Sequence, residues 1–117
     1  MTTAHELIDE AVAAGRQLRD MIPDVYAGYA RLSSAAMSED GVLPIKIKEL
    51  IALAIAVTRE CDGCIAAHAR GAARQGVTAL EVAEAMSVAI LMNGGPGTVW
   101  GPRAYAAFRE FAADEAL

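Results

Sequence analysis

Residues 44–75 read PIKIKELIALAIAVTRECDGCIAAHARGAARQ. Pro44 suits the first turn of a helix, and the run that follows carries no strand-like period-2 alternation, so the spacing predicts a helix from Pro44 to about Arg59. Beyond Lys48 and Glu49 this segment is apolar on nearly every side, and a helix of that kind is expected to be buried all round, which one small domain can scarcely do without subunit contacts. A second helix is expected from Cys61 to Gln75, closed by Gly76 at the position after its C-cap. The two cysteines therefore fall where one helix ends and the next begins.

The same reading extends outward in both directions. Ala4–Met21 carries apolar residues at roughly helical spacing (Leu7, Ile8, Val12, Leu18) and is expected to form a first helix. Pro23 opens a second, to about Met37, and Ser38-Glu39-Asp40-Gly41 is turn chemistry. Thr78 and Glu81 form a capping-box pattern that starts a helix running to about Asn93. Gly94-Gly95-Pro96-Gly97 is read as a break and tight turn, with a last helix from Pro102 to Ala113. The expectation is an all-α, single-domain bundle of about six helices occupying residues 1–117.

Composition agrees. The chain has 117 residues, room for one core, and is 55% hydrophobic but only 5% aromatic, the apolar content being mainly helix-favouring Ala and Leu with Ile, Val and Met. Mean hydropathy is +0.30, more apolar surface than a small core can hide, which argues for burial between subunits. The net charge is −5 and no basic cluster occurs, which excludes nucleic acid and anionic membrane surfaces as expected partners. The first ten residues include His5, Glu6, Asp9 and Glu10, unlike a secretion signal, and the longest apolar run, Leu50–Val57, is far shorter than the roughly 20 residues a membrane span needs. A cytoplasmic protein is expected.

Cys61-Asp62-Gly63-Cys64-Ile65-Ala66-Ala67-His68 is the sharpest chemical feature. At about 100° per residue, Cys61, Cys64 and His68 fall within roughly 60° of one another on a helix. Both cysteines lie at the helix start, where unpaired N–H groups and the helix dipole favour a thiolate. His68, one turn beyond Cys64, is placed to exchange a proton with it. A sulfenic acid formed on one sulfur could be resolved by the other. Two other readings stand beside this one. The cysteines could be ordinary buried residues, or Cys61, Cys64 and His68 could bind zinc with Glu49 as a fourth ligand, although no second Cys or His pair is present. Thioredoxin-like folds, the usual home of C-x-x-C, need βαβ units that are missing here. Glu60, beside Cys61, is read as a helix-start carboxylate, and Tyr26, Tyr29, Trp100 and Tyr105 as packing residues rather than a pocket lining.

From Lys46-Ile47-Lys48-Glu49-Leu50-Ile51-Ala52-Leu53-Ala54 through Cys61-Asp62-Gly63-Cys64 and His68 to Gly76-Val77-Thr78, Glu81-Val82-Ala83-Glu84-Ala85 and Gly94-Gly95, the chain resembles the AhpD-like alkylhydroperoxidases of the carboxymuconolactone decarboxylase superfamily. The resemblance implies a homo-trimer or homo-hexamer and a dithiol peroxidase that needs no cofactor and no metal. It implies that Cys64 attacks the peroxide, Cys61 closes the disulfide, and Glu49 and His68 relay the proton. A dihydrolipoyl-bearing or thioredoxin-like protein would be the reductant. Gly63 stands where some members carry histidine. Two alternatives of other kinds are a γ-carboxymuconolactone decarboxylase, against which the cysteine pair argues, and a non-catalytic zinc-binding or redox-sensing oligomer.

Overall fold

A computed structural model describes residues 2–116. Six helices follow one another: α1 (Ala4–Met21), α2 (Pro23–Ala36), α3 (Ile45–Thr58), α4 (Asp62–Arg74), α5 (Ala79–Asn93) and α6 (Gly95–Glu115). Among the described residues there is no strand. The all-α reading and the first five helices follow the sequence expectation within a residue or two.

α4 is the central element, packed against α1, α3 and α6. Its inward face is Ile65, Ala66, Ala69, Ala72 and Ala73, all buried. Four of these five are alanines, which lets neighbouring helices approach closely at little cost in side-chain entropy. Leu53 and Val57 of α3, Val82 and Met86 of α5, and Phe108 and Phe111 of α6 complete the core.

α6 departs from expectation. It begins at Gly95, not Pro102, and runs through Pro102. Gly94, at φ 68°, turns the chain, and Pro96 occupies the first turn, where a missing N–H costs nothing. A Cβ on Gly97 would sit 2.9 Å from the Ile90 Cα, so this glycine is required by the α5–α6 approach. The Gly-Gly-Pro-Gly stretch is thus a helix start. The inner proline costs one intrahelical hydrogen bond, which the packing of a long buried helix outweighs.

Within the chain α3 buries one face, Glu49, Leu53, Ala56 and Val57, while Ile51 and Ile55 remain exposed. α2 buries no residue at all and touches only α1. The radius of gyration, 14.5 Å, exceeds the about 13 Å of a compact chain this long, as a projecting helix requires. Val25, Tyr29 and Leu32 of α2 and Val88, Leu91 and Met92 of α5 add to the exposed apolar surface.

The first and last helices are clasped by a polar cluster. Glu110 accepts the Ala4 backbone N–H at 2.9 Å and pairs with His5 Nδ1 at 2.7 Å; His5 Nε2 lies 2.6 Å from Asp114. With a carboxylate on each ring nitrogen, His5 is held as the imidazolium. Its pKa is raised above 6.5, first by the hydrogen bond to Glu110 and then by that to Asp114. For Glu110, burial pushes the pKa up, but the hydrogen bonds from His5 and the Ala4 and His5 amides outweigh it and the net direction is down from 4.5. The raised histidine contributes stability below its unfolded pKa and loses it as pH rises through the folded value. The lowered carboxylate contributes above its unfolded pKa and loses it as pH falls through the folded one. The difference in thermal midpoint between the wild type and His5→Asn is therefore expected to be greatest between about pH 4.5 and 6.5 and to shrink on both sides. A pH-independent difference would contradict this assignment.

Candidate redox site

The turn between α3 and α4 is built by a helix-ending motif that closes on Cys61. The Glu60 N–H donates to the Val57 carbonyl and the Cys61 N–H to the Ala56 carbonyl, each at 3.1 Å. This is the pattern in which the residue after the C-cap takes a left-handed conformation. α4 ends in the same way, with Gly76 at φ 74° and Val77 donating to Ala72. At α3 that slot holds Glu60, at φ 52°. Glu60 is therefore a helix-end residue, not the helix-start carboxylate expected from its place beside Cys61. A side chain in this region costs about 1 kcal/mol, so Glu60→Gly is expected to raise unfolding stability by roughly that amount, measured by denaturant titration.

Cys61 then begins α4. It is the N-cap, and its sulfur accepts the Cys64 backbone N–H at 3.2 Å. The Cα atoms of Cys61 and Cys64 are 5.3 Å apart and their sulfurs are joined as a disulfide. Cys61 is half-buried and Cys64 exposed, so the second sulfur is the more accessible to a small molecule.

His68 lies one turn along α4 and faces α3. Its Nδ1 is 2.9 Å from Glu49 Oε2. Among the described residues Glu49 is the one buried charged side chain, at 9% exposure, while the His68 side chain keeps 35%. A carboxylate accepting from Nδ1–H fixes the tautomer and leaves Nε2 as the free, basic nitrogen. The four site residues expected from the sequence thus form two pairs along α4: Cys61 and Cys64 bonded at its start, and His68, one turn on, hydrogen-bonded to Glu49 of α3.

Gly71 was not foreseen. A Cβ at this position would lie 2.5 Å from the Glu49 carboxylate carbon and 2.5 and 2.6 Å from its oxygens. Its bare backbone is what lets the carboxylate lie against α4. The available signal was a glycine three residues after His68 in an otherwise alanine-rich helix, on the side shared with it.

Among the described residues, no group of three or more His, Cys, Asp or Glu side chains is arranged to hold a metal. Nor is any helix among them long and apolar enough to cross a membrane. Of the tyrosines and the tryptophan, Tyr26 lines a surface groove, Tyr29 is exposed, and Trp100 and Tyr105 lie against Arg103 and Arg109.

This arrangement can be set beside known proteins. Residues 23–112 match the carboxymuconolactone decarboxylase family, a span reaching from the start of α2 almost to the end of α6. The chain belongs to that family. A crystal structure of a carboxymuconolactone decarboxylase family protein from Legionella pneumophila, in its apo form, has the same fold: TM-score 0.88 at 33% identity, covering 93% of this chain and 96% of that one. "Uncharacterized protein 4 in cox locus" from Paracoccus denitrificans is 32% identical over 94% of this chain and 92% of its own length. An uncharacterized protein from Cupriavidus necator is 42% identical over 73 residues, 62% of this chain and 65% of that protein, so just under two thirds of its length is spanned. The carboxymuconolactone decarboxylase family assignment accounts for the helical architecture. It leaves the reaction to be argued from the side chains.

Proposed function

We propose that this protein is a thiol-dependent peroxidase of the alkylhydroperoxidase type. One observation carries the reading: a bonded Cys61–Cys64 pair at the start of α4, one turn from a histidine whose Nδ1 is held by a buried carboxylate. In the reduced state Nε2 of His68 takes the Cys64 proton. The thiolate attacks the terminal oxygen of a hydroperoxide; the S–O bond forms, the O–O bond breaks, and the alcohol leaves with the proton returned by His68. Cys61 then attacks the sulfenic sulfur, water leaves, and the disulfide forms. Two electrons have passed from the dithiol to the peroxide. An external dithiol, dihydrolipoyl or thioredoxin-like, restores the thiols by exchange.

The roles follow from exposure and position. Cys64, exposed and nearer His68 in sequence, is the attacking sulfur. Cys61, half-buried at the N-cap, is the resolving one. Glu49 acts through His68 and is a positioning residue. The cycle suits a cytoplasmic setting, and the exposed apolar faces of α2, α3 and α5 suit a homo-trimer or homo-hexamer.

The test is thiol titration with and without peroxide. One equivalent of an alkyl hydroperoxide should consume two thiols per chain, and dihydrolipoamide should restore both and sustain turnover. Retention of both thiols under excess peroxide would overturn the proposal, and release of carbon dioxide from a carboxymuconolactone would replace it.

A further inference from the structure

We propose that the groove between α1, α2 and α4 binds the substrate, and that this substrate is an anionic amphiphile: an alkyl chain bearing a carboxylate as well as the hydroperoxide. The inference rests on the peroxidase reading for the word substrate, but the groove itself is a separate observation. It has a volume of about 340 Å³, within the range of small-molecule sites, and is lined by Ile8, Ala11, Val12, Tyr26, Gly63 and Ala67 together with Arg19 and Arg70.

Three features select the occupant. The first is position. Gly63 stands between the two cysteines in sequence, and Ala67 lies about 60° round α4 from Cys64, so the α4 wall of the groove is drawn from the cysteines' immediate neighbours on that helix. Outside its two chain neighbours and the backbone of its own helix, nothing lies within 4 Å of where a Gly63 Cβ would be, so no other element covers α4 at this residue. The second is charge. The lining holds two guanidinium groups and no carboxylate, in a chain whose net charge is −5. Neither arginine is in an ion pair among the described residues. Arg70 also borders the acid-bearing cleft on the other side of Ile8, yet no carboxylate there comes within 4.0 Å of it. A planar guanidinium is matched to a carboxylate. The third is the rest of the lining, Ile8, Ala11, Val12, Tyr26 and Ala67, which is aliphatic and aromatic and suits an alkyl chain.

The experiment separates the groove from the reaction. Binding of dodecanoate and dodecanol to the oxidised protein is measured by calorimetry, with Arg19→Met and Arg70→Met, which keep an apolar stem while removing the charge. Dodecanoate is expected to bind about tenfold more tightly than dodecanol, and each variant to lose most of that difference. Equal binding of acid and alcohol, or a preference untouched in both variants, would overturn the proposal. Turnover is then compared for a fatty-acid hydroperoxide, its methyl ester and hydrogen peroxide. The acid should exceed the ester in kcat/KM by a similar factor in the wild type only. Selective dodecanoate binding without reduction of any peroxide would instead overturn the peroxidase reading while the anion-binding groove stands.

Discussion

Replacing Cys64 with serine is expected to abolish peroxide reduction, lowering the rate by at least about 10³-fold, while Cys61→Ser is expected to retain a single turnover. The asymmetry follows from the helix start. The exposed Cys64 sulfur can meet a peroxide oxygen, whereas Cys61 is half-buried with its sulfur against the Cys64 amide. In Cys61→Ser the chemistry should therefore stop at the sulfenic acid, which a nucleophilic trapping reagent would label once per chain and mass spectrometry would place on Cys64. In Cys64→Ser no label should appear. The reverse pattern, with single turnover surviving in Cys64→Ser, would exchange the two roles. Full activity in either variant would remove the dithiol from the mechanism.

The second large effect is expected from a glycine. Gly71→Ala places a methyl group inside contact distance of the Glu49 carboxylate, which must swing away and release His68 Nδ1. Since what moves is the end of a flexible side chain, stability should fall by only about 1 kcal/mol, the worth of one charge-assisted hydrogen bond less some relaxation. The rate should fall far more, by about 10²-fold, because the imidazole loses the partner that fixes its tautomer. Glu49→Gln should have a comparable effect. Combined, the two substitutions should cost little more than either alone, since both act through the same bond. Multiplication of the two losses would show that Gly71 acts elsewhere. The pH dependence of Cys64 alkylation gives an independent reading: it should change in both single variants, and a packing defect alone would leave it in place.

Much of this was legible in the residues. Periodicity and capping chemistry located α1, α2, α4 and α5 because their signals are local: Pro23 at a first turn, the Thr78–Glu81 box with both its hydrogen bonds present, and Gly76 at a left-handed position. The start of α6 was not legible, because glycine and proline mark a turn in isolation but become a helix start when another helix lies 2.9 Å from a would-be Cβ. Glu60 was misread for a related reason. Nothing in its side chain signals a left-handed backbone, which is imposed by the end of α3. The all-round apolar character of α3 shows that its faces can be covered; within this chain one face is, and Ile51 and Ile55 stay exposed. At the site, helical spacing placed Cys64 and His68 one turn apart on α4, with Cys61 as its N-cap. The pairing of Glu49 with His68 entered through family resemblance, because a separation of 19 residues carries no periodic signal. Gly71 was missed because its role is to be empty where a residue from another helix arrives.

Cys61 belongs to two helices at once: its amide closes the helix that carries Glu49, and its sulfur opens the helix that carries His68. In the proposed cycle, the sulfur that gains and loses electrons thus sits at the joint between the helix of the carboxylate and the helix of the imidazole.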